Sequence, residues 1–312
     1  MRIVFMGTPD FAVPILESLL CSAYHVVAVY TQPDKRAGRG RQVIAPPVKK
    51  LAMENNILVI QPETLKSAEV LKEMTGFEPE LIVVAAFGRI LPQAILSLPK
   101  FGCLNVHPSL LPRHRGPSPI ANAILCGDEI TGVTIMLMDA GMDTGPVLAQ
   151  RTASISSEDT TGILTSRLAG VGVELLLETL SPWVEGKLVP QSQDDSQATY
   201  SKPISKEDGE IDWHLPAVKL WRRLRAYSPW PGYYTLWKGK RLKIYSAIPL
   251  DDVAKGEAGE VVALPKETAM EVGVVTGGGV LGLDSLQLEG KRQMSVKEFV
   301  LGHRDFIGSV LP

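Results

Sequence analysis

Arg2-Ile-Val-Phe-Met-Gly7-Thr-Pro-Asp10 opens with four consecutive apolar residues and then a turn. An apolar run of this kind, closed by Gly and Pro, reads as a strand covered on both faces. Similar runs recur at 26–30, 58–60, 81–86 and 104–107, with helix-like segments at 10–21, 46–55 and 66–75 between them. Strands alternating with helices predict an α/β fold with a parallel sheet and right-handed crossovers. Ligands of such sheets bind beyond the carboxyl ends of the strands, so the residues after each run are the ones to inspect. Gly7-Thr8-Pro9-Asp10 sits where a Rossmann phosphate turn would lie. Pro9 stands where the fingerprint needs its second glycine, and it lacks an N–H. The stretch therefore predicts a tight turn into a helix capped by Asp10 and argues against an NAD-dependent oxidoreductase.

Two more runs, 132–138 and 147–155, predict a strand pair around a Gly-rich loop, and 160–184 a long apolar helix closing this domain. The composition then changes. Residues 187–206 hold few large apolar groups and read as a linker. A helix is expected at 216–226, then β-like runs at 242–246, 259–263, 269–276 and 280–288, the spacing of a small barrel or sandwich. The expected division is a first domain at 1–189, a linker at 190–207 and a second domain at 208–312. Hydrophobic residues at 45% and charged residues at 21% fit an ordinary globular chain and exclude disordered, collagen-like and coiled-coil classes. The three cysteines do not suggest a disulfide scaffold, and no apolar run or signal sequence points to a membrane or secretion. The cytoplasm is the expected location.

The strongest chemical signal is Asn105-Val-His107-Pro-Ser109-Leu-Leu-Pro112-Arg-His-Arg115-Gly116. Strand alternation puts Asn105 and His107 on one face, at a strand's carboxyl end. An amide donor beside an imidazole is the pairing that stabilises an oxyanion in acyl transfer. An isolated N-x-H would be read as a strand-end Asn and a satisfied His; the Pro-rich turn with two Arg behind it favours a site. Met138-Asp-Ala-Gly141-Met-Asp143-Thr-Gly145 supplies two carboxylates in a strand-connecting loop, and spacing does not separate Asp139 from Asp143. Either could orient His107 or close an Asx turn. Cys103 shares the face of Asn105, but inside a strand a free Cys is usually a small buried hydrophobe. Ser109 lacks the strand–elbow–helix setting of a nucleophile. The His and Cys spacing suggests no metal. Gly277–Gly279 reads as a hairpin turn.

Two basic stretches bear on partners. Residues 34–50 (DKRAGRGRQVIAPPVKK) include Arg36, Arg39, Arg41 and Lys49 against a single acid, Asp34. Residues 219–243 (KLWRRLRAYSPWPGYYTLWKGKRLK) carry Arg222, Arg223 and Lys243 with no Asp or Glu, interleaved with aromatics. Basic and aromatic groups together can track a phosphate backbone and stack on bases. We expect the aromatics to be mostly core and the charges to form a nucleic-acid track.

The set VFMGTPDFAVPIL, TQPDKRAGRG, VVAAFGRILP, CLNVHPSLLPRHRGPSPI, GVTIMLMDAGMDTGPVL, IDW and SPWPG, in this order over nearly all 312 residues, resembles the methionyl-tRNA formyltransferase family. SLLPR after N-x-H alone resembles formyltransferases more widely; the Arg-rich TQPD loop and the C-terminal domain narrow the likeness. The resemblance implies a Rossmann-like formyltransferase domain followed by an OB-like β-barrel that binds tRNA. It implies a catalytic trio of Asn105, His107 and Asp143. It implies a formyl donor, 10-formyltetrahydrofolate, held around Ser109, Leu110, Leu111 and Pro112, with Phe87, Gly88, Ile90 and Leu91 as a pocket wall. The loop at Arg36–Arg41 would meet the acceptor end of methionyl-initiator tRNA, no metal would be needed, and a monomer is expected. The rivals are a formyltransferase for a small amine, such as a sugar nucleotide or glycinamide ribonucleotide, and a non-catalytic RNA-binding protein.

Overall fold

Strand β1 (Arg2–Gly7) is buried from Ile3 to Gly7, as a continuous apolar run covered on both faces must be. The computed structural model describes residues 1–37, 42–251 and 253–312. The elements that follow are α1 (Ala12–Leu20), β2 (His25–Tyr30), β3 (Lys35–Ala37), β4 (Gln42–Ile44), α2 (Pro47–Glu54), β5 (Val59–Ile60), α3 (Ala68–Gly76), β6 (Leu81–Ala85), α4 (Gln93–Leu96), β7 (Cys103–His107), α5 (Pro119–Cys126), β8 (Ile130–Leu137), β9 (Val147–Ser154) and α6 (Thr161–Val184). Seven strands form one sheet in the order β5-β2-β1-β6-β7-β8-β9. The β5-to-β7 part is parallel, and β8 and β9 add to it antiparallel. Helix α1 buries Ala12, Ile15, Leu16 and Leu19, one stripe at helical spacing. Ile3, Val4, Phe5 and Met6 are fully buried, and at roughly 1.5–3 kcal/mol per side chain this strand alone contributes on the order of 10 kcal/mol to folding.

Asp10 does not cap α1. The helix opens at Phe11 without a side-chain cap, and the Pro9 and Asp10 carbonyls accept from Ala12 and Val13. The 34–50 stretch is not a plain loop, because β3 and β4 pair as an antiparallel hairpin, Lys35 opposite Ile44.

The chain divides into two compact units. The first comprises Met1–Ile120, Glu129–Ile155 and Leu164–Lys202; the second comprises Ala121–Asp128, Ser156–Ile163 and Pro203–Pro312. Much of the stretch expected as a linker therefore belongs to the first unit, anchored by hydrogen bonds where apolar groups are scarce: Arg115 N–H donates to the Thr199 carbonyl and Ser201 N–H to the Arg115 carbonyl. In the second unit come α7 (Ala217–Ala226), β10 (Tyr233–Trp237), β11 (Lys240–Leu250), β12 (Val261–Ala263), β13 (Val272–Val275), β14 (Val280–Leu288), β15 (Met294–Ser295) and α8 (Val296–Gly302). Their antiparallel sheet runs β10-β11-β14-β13-β12, with β15 on β14, an open, barrel-like arrangement. Tyr227, Tyr233 and Trp237 are buried, and Trp237 meets Phe299 and Phe306 edge-on, so these aromatics are core as expected; Trp230 is exposed.

Candidate active site

Strand β7 is buried along its whole length and brings Asn105 and His107 to the carboxyl end of the first sheet. Asn105 lies opposite Val84 of β6 and Met136 of β8, and His107 opposite Thr134. Asp143 comes from the loop between β8 and β9. A Cβ on Gly145 would lie 1.9 Å from the Leu137 carbonyl oxygen, so the loop closes back on β8 only with glycine there. Asp143 has a left-handed backbone with φ 57°. Its Oδ2 accepts from the Gly116 N–H at 2.7 Å, and its Oδ1 accepts from Asn105 Nδ2 at 3.4 Å and lies 3.8 Å from His107 Nδ1. The structure thus brings the three residues together. It also separates the two carboxylates: Asp139 Oδ1 accepts from Gly141 N–H at 3.0 Å and Thr144 Oγ1 at 2.7 Å, closing an Asx turn.

His107 Nε2 lies 3.2 Å from the His114 carbonyl. A carbonyl only accepts, so Nε2 carries the proton and Nδ1 presents a lone pair toward Asp143. Burial lowers the His107 pKa, outweighing the Asp143 carboxylate and the His114 carbonyl, which raise it. The imidazole is therefore neutral near pH 7. Its one N–H is committed, whereas Asn105 keeps a second amide N–H able to donate and His107 Nδ1 is able to accept a proton. Burial pushes the Cys103 thiol up to about 12, so it stays protonated and is no nucleophile.

Sequence reading missed the side chains that build the loop after β7. Thr134 Oγ1 donates to the Ser109 carbonyl at 2.6 Å and accepts from Leu111 N–H at 3.1 Å; Gln150 Nε2 reaches the Leu111 carbonyl at 2.8 Å. His107, Thr134 and Gln150 are register neighbours across β7, β8 and β9, a polar row that only the pairing reveals. Ser109 is fully buried and its hydroxyl donates to the Arg113 carbonyl, so it braces the turn. Leu111 is buried, and Leu110 and Pro112 are half-buried. Phe87 and Leu91 pack into the hydrophobic core beneath the strand ends, whereas Gly88 and Ile90 are exposed. Ala86, His114 and Asp143 all have positive φ; three left-handed non-glycine residues in the loops at the strand ends store about 1–3 kcal/mol each and persist only where the surroundings hold them.

Among the basic residues, Arg39 and Arg41 lie outside the described residues, and Arg36 belongs to β3. Lys49 donates to both Asp34 oxygens, at 2.7 and 2.9 Å, and to Gln61 Oε1 at 2.8 Å. Its ammonium is thereby engaged at the foot of the hairpin. In the second unit Arg222, Arg223 and Lys243 are half-buried, and Arg222 donates to the Cys126 carbonyl at 3.3 Å. No group of three or more His, Cys, Asp or Glu side chains among the described residues is placed to hold a metal ion, and no helix among them is long and apolar enough to cross a membrane.

An amide, a buried neutral imidazole and a carboxylate at the carboxyl end of a Rossmann-like sheet are the groups an acyl-transfer enzyme uses. Comparison with known proteins agrees. Residues 1–180 match the formyl transferase family model and 203–304 the formyl transferase C-terminal domain. A methionyl-tRNA formyltransferase from Caldanaerobacter subterraneus is 46% identical over 312 residues, covering 100% of both chains. One from Pseudomonas fluorescens is 45% identical, covering 100% of this chain and 97% of its own. The chain belongs to the methionyl-tRNA formyltransferase family. Two solved structures share its fold. WlaRD, a sugar 3N-formyltransferase, has a TM-score of 0.65 at 17% identity, covering 94% of this chain and 99% of its own. HypX from Aquifex aeolicus, crystallised with tetrahydrofolic acid, has a TM-score of 0.60 at 21% identity over 96% of this chain; this chain spans about half of HypX, 47% of its length.

Proposed function

We propose that this enzyme transfers a formyl group from 10-formyltetrahydrofolate to the α-amino group of methionyl-initiator tRNA. The observation that carries the reading is the convergence of Asn105, His107 and Asp143 on one carboxylate oxygen in a chain full-length similar to methionyl-tRNA formyltransferases. A free α-amino group has a pKa of about 8, lower once its carboxyl is esterified, so the amine is largely nucleophilic near pH 7 and no covalent enzyme intermediate is needed. As the amine adds to the formyl carbon, the spare Asn105 N–H faces the oxygen that gains negative charge. His107 Nδ1 takes the surplus ammonium proton, Asp143 stabilises the resulting imidazolium, and the proton returns to the departing folate nitrogen as the C–N bond breaks. Exposed Ile90 and open Gly88 suit a flat heteroaromatic group, with the braced 109–112 turn beside the reacting carbon.

The enzyme then combines a catalytic first unit with a C-terminal unit that binds tRNA, as a monomer working in the cytoplasm. Arg36, Arg39 and Arg41 would contact the acceptor end, and Arg222, Arg223 and Lys243 the tRNA backbone. The test is transfer of labelled formyl from 10-formyltetrahydrofolate to initiator against elongator methionyl-tRNA. Preferential labelling of the initiator is expected. Labelling only of a sugar nucleotide or glycinamide ribonucleotide overturns the substrate, and no transfer at all overturns the activity.

A further inference from the structure

Gln193 lies within 190–207, the polar stretch whose composition reads as a connector, yet its amide reaches the candidate site. Nε2 donates to the Asp143 carbonyl at 2.9 Å and to the Gly145 carbonyl at 2.6 Å. Oε1 accepts from Arg115 Nε at 3.1 Å and Nη2 at 2.9 Å. All four hydrogen-bonding positions of the amide are used. Its orientation is also dictated: a guanidinium only donates and a carbonyl only accepts, so oxygen must face Arg115 and nitrogen the loop. Arg115 is itself fixed, 1% exposed, with Asp195 Oδ1 at 2.7 Å and the Tyr200 hydroxyl at 3.3 Å.

We propose that Gln193 is a positioning residue for formyl transfer, its amide clamping the Asp143–Gly145 loop so that Asp143 Oδ1 faces Asn105 and His107. Asp143 is held at both ends: Gly116 N–H grips Oδ2, and Gln193 grips the carbonyl of a residue whose left-handed φ is unfavourable for a residue with a Cβ. Without the clamp the loop relaxes while Gly116 still draws on the carboxylate. A displacement on the order of 1 Å at a reacting group typically costs about 10²-fold in rate.

The proposal rests on Asp143 acting in the reaction, so Asp143→Asn is measured beside Gln193→Ala, Gln193→Glu and the double variant Asp143→Asn/Gln193→Ala. Gln193→Glu keeps the partner of Arg115 but turns an oxygen toward the two carbonyls, so it separates the clamp from the tether. Both Gln193 variants should fold, by circular dichroism, and lose about 10–100-fold in kcat, with KM for methionyl-tRNA and for the formyl donor moving by less than about threefold. In the double variant kcat should be no lower than in Asp143→Asn alone, because Gln193 acts through that carboxylate. Wild-type kcat in Gln193→Glu, or multiplicative losses in the double variant, overturns the clamp. Full turnover by Asp143→Asn overturns the role of Asp143 instead, a separate failure.

Discussion

While His107 is neutral its single proton points at the His114 carbonyl, so in the proposed mechanism Asn105 is the amide that donates to the nascent oxyanion. Asn105→Ala should cost about 10²–10³ in kcat, or roughly 3–4 kcal/mol of barrier, with normal circular dichroism; a near wild-type kcat would remove the amide from the mechanism. His107 also sets a pH dependence. Its pKa in the folded chain lies below the unfolded value of about 6.5, because burial outweighs the pull of Asp143 and the His114 carbonyl. Above both values each state is neutral and the residue contributes nothing to pH sensitivity. As pH falls through about 6.5 the unfolded chain binds the proton first, so stability is lost until the folded pKa is reached. His107→Gln should accordingly lose less unfolding free energy than wild type between about pH 7 and 5 in urea titrations. An equal loss in the two proteins contradicts the buried, neutral ring.

At the scale of elements, the β3–β4 hairpin stands on a polar knot: Lys49 binds Asp34 and Gln61, and Gln61 Nε2 donates to the Gln32 carbonyl at 2.8 Å. Lys49 was expected as a direct nucleic-acid contact, and its geometry casts it as a brace instead. Salt dependence tells the two apart, because each lost phosphate contact flattens log KM against log salt by about one unit of slope. Arg39→Ala and Arg41→Ala should raise KM for tRNA and flatten that line. Lys49→Met should raise KM and leave the slope unchanged; a flattened slope makes Lys49 a phosphate ligand after all. The knot also shows what sequence can and cannot disclose. β1 and β6 were legible because strands covered on both faces leave unbroken apolar runs. The hairpin was not, since its strands KRA and QVI are only three residues long and the first carries two charges. Asn105 and His107 could be paired from strand phase alone. Asp143 could not be separated from Asp139, because the difference lies in a Gly116 N–H that only the fold supplies. Gln193 was invisible for the same reason: it is 50 residues from Asp143, with no periodicity linking them.

Over the whole molecule, chain order and compactness disagree. Residues 121–128 and 156–163 cluster with the C-terminal sheet, so a cut at either expected boundary, 189 or 207, leaves part of the second unit on the other piece. Arg225 shows the consequence inside that unit: its guanidinium lies 4.3 Å over Trp221 and donates to the Ser156 and Asp159 carbonyls. Arg225→Met removes one donor from each carbonyl and should cost roughly 1–3 kcal/mol, a drop of several degrees in Tm. An unchanged calorimetric midpoint would show that the 156–163 segment does not depend on it. The three thiols, finally, offer a practical handle. Cys21 and Cys126 are at the surface, while Cys103 is sealed two positions from Asn105 with its thiol protonated. A maleimide should add to the native chain at those two surface positions and spare the third, so fluorescent reporters could be attached to a working enzyme without first engineering the sulfur out from under its own chemistry.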